Sequence, residues 1–114
     1  AVAHTFEEEF FNEGQRIMRQ GFRSPSFYVI VEGEAVVKID GKDRGKLSRG
    51  DFFGELSILL GEAPTADIVA SSHMRCLSMP GSDVEGFLTA YPRVMWRMLQ
   101  TEARRLKIAN QWQN

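Results

Sequence analysis

The amino-acid sequence predicts a mainly β fold, a sandwich or jelly roll of short strands closed by two C-terminal helices. Three observations carry that prediction. β-branched and aromatic runs recur up to Pro80, each broken by glycine or a turn pair. Asp40-Gly41 is a hairpin signal, since both central positions of such a turn need positive φ. Beyond Pro80-Gly81 the apolar residues change from strand spacing to helical spacing.

Taken in order, residues 5–10 alternate partly, Thr5 to Phe10, and Asn12-Glu13-Gly14-Gln15 follows as a turn. Residues 16–19 lead to a break at Gly21, and Phe27-Tyr28-Val29-Ile30-Val31 suits only a strand. Gly33 separates it from a strand over 35–39. The return strand after Asp40-Gly41 is predicted from Arg44 to Leu47, with Arg49-Gly50-Asp51 as the next turn. Residues 67–70 and 74–79 give two more strands. Ser82 is predicted to cap a short helix through Tyr91, with Asp83 and Glu85 in its first turn. Pro92 suits the first position of a longer helix reaching about Trp112, because its missing N–H would be unpaired there anyway. Residues 1–80 are thus the β part and 81–114 the helices of the same domain. No linker divides them.

The 114 residues fit one domain with one core. A net charge of −1 argues against a nucleic-acid surface, which usually carries a basic excess. No apolar run is long enough to span a bilayer. Cys76 is the single cysteine, reads as a buried structural thiol, and points to a reducing, cytoplasmic setting. The first residue is Ala rather than Met, so the chain reads as a segment of something longer. His4 and His73 are too far apart for a clustered imidazole metal site, and no nucleophile-elbow pattern is present. These absences favour a non-enzymatic module without a cofactor.

The local chemistry concentrates at Phe53-Gly54-Glu55-Leu56-Ser57-Ile58-Leu59. A helix beginning near Gly54 turns backbone N–H groups outward, which suits an anion, and glycine permits close approach of a ligand. Glu55 is a lone carboxylate in an apolar run. If buried it needs a partner, either a ligand hydroxyl or a capping role with no ligand.

In this segment the chain resembles the cyclic-nucleotide-binding domain family, of the catabolite-activator and protein-kinase-A regulatory-subunit type. Its phosphate-binding cassette reads Phe-Gly-Glu-(Leu/Ile/Met)-(Ala/Ser)-Leu-Leu, then a turn, then Pro-Arg-(Ser/Ala/Thr)-Ala-Thr-Val. The resemblance extends upstream through Gly14, Ile17, Arg19-Gln20-Gly21, Phe27-Tyr28 and Gly33-Glu34. Downstream it includes Tyr91-Pro92-Arg93 and Glu102 to Leu106. It implies a double-stranded β-helix, or jelly-roll barrel, whose ligand is cyclic AMP or cyclic GMP. Gly54, Glu55, Leu56, Ser57, Thr65 and Ala66 are then the ligand-binding residues. The Glu55 carboxylate would accept the ribose 2′-hydroxyl, and N–H groups near Leu56 and Ser57 would meet the phosphate. Asn110 or Trp112 is the candidate lid over the base.

The second half of the cassette departs from the pattern. The family's arginine position holds Pro64, and its threonine position holds Asp67. Proline brings neither charge nor N–H, and no Arg or Lys lies between Leu56 and Met74. Asp67 would repel a phosphate if it faced one. Weak or absent nucleotide affinity is therefore expected, with Thr65 as partial compensation. The readings are a ligand-sensing regulatory module driving an attached effector domain, a degenerate member kept for dimerisation or partner contact, and the sensory half of a transcription regulator. A homodimer through Met95, Leu99 and Leu106 of the last helix is the implied assembly.

Overall fold

The computed structural model describes residues 6–23 and 26–112, the last two of these by backbone only. It divides into two compact units, one ending at Val84 and the other beginning at Glu85.

The first unit holds eight strands: β1 (Glu7–Phe11), β2 (Arg16–Met18), β3 (Ser26–Glu32), β4 (Ala35–Ile39), β5 (Lys42–Leu47), β6 (Phe52–Phe53), β7 (Asp67–Ala70) and β8 (Met74–Pro80). A short helix, α1 (Glu55–Leu60), lies between β6 and β7. The strands form two antiparallel four-stranded sheets, ordered β1-β8-β3-β6 and β2-β7-β4-β5. One apolar cluster takes residues from both: Phe11, Ile30, Met74 and Cys76 from the first sheet, Met18, Ala35, Ile68 and Ala70 from the second. This is the mainly β architecture expected from the spacing of the strands.

Several boundaries moved for definite reasons. β1 ends at Phe11, its buried residue, while Phe10 is exposed and stacks on His73. Thr5 and His4 lie outside the described residues. β5 begins at Lys42 rather than Arg44. Asp40 and Gly41 both have positive φ, 53° and 79°, so a two-residue turn lets pairing resume at once with Ile39 opposite Lys42. Ser82 is not a cap: β8 runs to Pro80 and α2 (Gly81–Ala90) starts directly, leaving Ser82 inside it. Asp83 is in the first turn as expected, and Glu85 falls beyond it.

The second unit continues α2 and adds α3 (Pro92–Trp112). Tyr91 separates the helices, and its carbonyl accepts the Val94 N–H at 2.9 Å, closing the α3 N-terminus with Pro92 first in the helix. Leu88 and Met98 are each 6% exposed, whereas Trp96, Leu99 and Leu106 are open to solvent.

Candidate functional site

The cassette folds as a glycine-led turn of helix braced on three sides. Gly54 precedes α1 with φ 92° and ψ −9°, a left-handed conformation. A Cβ there would stand 2.5 Å from the Ser26 carbonyl oxygen and 3.1 Å from Met18 Cε. Gly54 is thus required by close packing on β3, which is a different reason from the ligand approach expected of it. Glu55, the first helical residue, is 3% exposed. Leu56 is 49% exposed, and its backbone N–H lies in the first turn of the helix, where no intrahelical carbonyl is available to it.

Ser57 is buried, and its hydroxyl donates to the Glu62 carbonyl, while its own carbonyl accepts the N–H groups of Gly61 and Glu62. The hydroxyl therefore closes the C-terminal turn of α1. The Arg23 guanidinium donates to the Gly61 carbonyl at 2.7 Å and ties that same end to the loop before β3. Sequence reading missed this contact, which spans 38 residues and has no local signal.

Residues beyond α1 are arranged less favourably for an anion. Pro64 is buried, and its carbonyl accepts the Gly21 N–H at 2.9 Å. Thr65 is exposed and Ala66 half-buried. Asp67 does not share the core face of β7: Ile68 and Ala70 are buried there, and Asp67 alternates with them. Its Oδ1 accepts the Gln20 N–H at 2.6 Å, and its Oδ2 lies 3.8 Å from Arg16 Nη1. Gln20 in turn exchanges two 3.0 Å hydrogen bonds with Asp40 at the hairpin tip. Asp67 is a structural tie between β7 and the segment around β2. The alternation Asp67-Ile68-Val69-Ala70 already placed it off the core face.

A cavity of about 580 Å³ adjoins the other flank of α1, lined by Arg23, Ser57, Ile58, Gly61, Pro80, Gly81 and Ser82. Of the predicted site residues only Ser57 lines it; Gly54, Glu55, Leu56, Thr65 and Ala66 do not. Asn110 is exposed on α3, and the side chain of Trp112 lies outside the described residues.

Cys76 is fully buried, as its strand position implied, and burial pushes its thiol up to about 11. Burial likewise raises the Tyr28 hydroxyl above its ordinary value. Among the described residues no His, Cys, Asp and Glu group could hold a metal ion, and no helix is long and apolar enough to cross a membrane.

A jelly roll with a buried glutamate heading a glycine-led helical turn is the architecture of a class of regulatory domain. The chain belongs to the cyclic nucleotide-binding domain family, whose description matches residues 8–91. It is 32% identical over 102 residues to a cGMP-dependent protein kinase of Toxoplasma gondii, covering 90% of this chain and 10% of that protein. Among solved structures it resembles the catabolite activator protein of Thermus thermophilus, with a TM-score of 0.81, 25% identity, and coverage of 92% of this chain and 52% of the other. It also resembles the regulatory subunit of a cAMP-independent protein kinase A from Trypanosoma brucei, at TM-score 0.71 and 30% identity over 83% of this chain and 37% of that one. The chain thus spans about a tenth of the kinase it matches.

Proposed function

We propose that this regulatory domain holds a cyclic nucleotide weakly, through Glu55 and the α1 N–H groups of Leu56 and Ser57, and relays occupancy to an effector domain attached outside the chain. The observation that carries this reading is the burial of Glu55 behind Gly54 at the head of α1, while Pro64 stands where the family places its arginine. A buried carboxylate suits a ribose hydroxyl, which donates to it. A phosphate at the same site meets Thr65 and Ala66 but no neighbouring cation from Leu56 to Met74. Losing one partner of a buried charge pair costs about 2–5 kcal/mol, or about one and a half to three and a half powers of ten in affinity.

Calorimetric titration with cyclic AMP and cyclic GMP tests the reading when Glu55→Ala is run beside the parent. The parent gives a weak, saturable heat and Glu55→Ala none. An unchanged response in Glu55→Ala rejects Glu55 as the ribose contact.

A second reading has its own support. A domain with an empty or differently filled pocket, retained for partner contact, fits Pro64 and the likeness to a subunit of a kinase described as cAMP-independent. Complete absence of nucleotide heat in the parent favours it. The lone buried thiol suits a reducing compartment such as the cytoplasm under either reading. The sensory half of a transcription regulator remains a special case of the first reading, with a DNA-binding effector.

A further inference from the structure

We propose that the cavity beside α1 is a second ligand site, which takes a small organic monocarboxylate with an apolar body. This goes beyond the nucleotide reading and does not depend on it, since neither Glu55 nor Thr65 lines the cavity. The whole lining lies within the first unit, on α1 and its C-cap, the loop before β3 and the junction of β8 with α2. At about 580 Å³ the space falls within the roughly 300–1,000 Å³ typical of small-molecule sites. Ile58 and Pro80 give it apolar surface, and Gly61 adds no side chain to narrow it. Ser82 brings a hydroxyl to the wall. The Ser57 hydroxyl already donates to the Glu62 carbonyl, so Ser57 contributes surface alone.

The charge of the lining selects the ligand. Arg23 is its one ionisable side chain, and it is exposed to solvent. Among the described residues its guanidinium meets no carboxylate: Nη2 donates to the Gly61 carbonyl at 2.7 Å. That bond fixes the guanidinium at the cavity wall but leaves its charge unmatched, because a carbonyl carries only a dipole. The N–H groups that remain form the planar fork that grips a carboxylate through paired hydrogen bonds. Glu62 and Asp83 neighbour the lining in sequence, yet neither carboxylate lines the cavity. One cation answers one negative charge, so a doubly charged phosphate is the poorer match. A cationic fork beside apolar walls complements a carboxylate carried on a ring or short hydrocarbon.

The test is an amide NMR titration of the intact chain with sodium benzoate, run beside benzamide and phenyl phosphate near neutral pH. Benzoate moves the Ile58, Gly61, Gly81 and Ser82 signals saturably, with a midpoint of about 1 mM. Benzamide keeps the ring and lacks the charge, and phenyl phosphate carries nearly two charges; each binds about tenfold more weakly or less. Arg23→Gln weakens benzoate about tenfold or more, and Arg23→Lys recovers only part of the loss. Should loss of the Gly61 tie unfold α1 in these variants, Ile58→Phe decides instead: it fills the cavity, keeps Arg23 and abolishes the benzoate shifts. Benzamide or phenyl phosphate binding as tightly as benzoate overturns the proposal. So does benzoate binding that survives both Arg23→Gln and Ile58→Phe, that centres on Glu55 and Thr65, or that is absent at about 20 mM.

Discussion

At the scale of single residues, Gly54 and Glu55 divide the work of the cassette. Gly54 is held at φ 92° against the Ser26 carbonyl, with no room for a methyl group. Gly54→Ala therefore destabilises the fold by about 1–3 kcal/mol, read as a lower urea midpoint, before any question of ligand arises. On the proposed reading, Pro64 is the residue that limits affinity. Pro64→Arg supplies the absent cation and tightens cyclic AMP by about thirtyfold or more, measured by calorimetry against the parent. Asp67→Thr restores the family residue at its position but brings no such gain, because the Asp67 carboxylate binds Gln20 and Arg16 and not the pocket. It costs about 1–2 kcal/mol in stability instead, from the lost tie to Gln20.

How each residue type could be read from sequence follows from the range of its interactions. Glu55 stood out as a charge inside an apolar run, a purely local feature, and its 3% exposure agrees. The orientation of Asp67 needed the two-residue alternation of β7 to be applied to one position. Arg23 could not be found this way, because its partner carbonyl lies 38 residues along the chain. Nothing local to Ser57 announced it as the donor to the Glu62 carbonyl that closes α1.

At the scale of elements, the turns were the readable parts and the strand ends the unreadable ones. Asp40-Gly41 encodes its turn chemically, and the β4–β5 pairing follows from it. β6 has two residues, Phe52 and Phe53, and owes its existence to pairing with Tyr28 and Val29 of β3, which no local pattern announces. The β8-to-α2 junction has no loop, so the cap expected at Ser82 had no place to form. The Gln20–Asp40 pair ties the hairpin tip to the segment after β2, next to Asp67. Asp40→Ala loses the bond from Gln20 Nε2 to Asp40 Oδ1, keeps the one its backbone N–H donates, and places alanine at φ 53°, so it lowers the urea midpoint more than Lys42→Ala beside it.

At the scale of the whole molecule, the buried core sets the response to alkali. The Cys76 thiol ionises near 11 when folded, against 9.0 as its ordinary value. Below pH 9 both states keep the proton and stability is complete. Between pH 9 and about 11 the unfolded chain releases its proton while the folded chain retains it, so stability falls as pH rises. Tyr28, also raised by burial, adds to the loss above its ordinary value of 10.0. Urea unfolding at stepped pH shows this slope, and Cys76→Ala reduces it. The same burial makes the native thiol unreactive toward a disulfide reagent until the chain unfolds.

As proposed above, this domain keeps the ribose-binding half of its cassette and has Pro64 in place of the phosphate-binding arginine. Calorimetric titration of the unmodified chain with cyclic AMP and cyclic GMP addresses it most directly. Saturable binding that requires Glu55, with a dissociation constant weaker than micromolar for both nucleotides, is the expected result. A sub-micromolar constant for either one would contradict it.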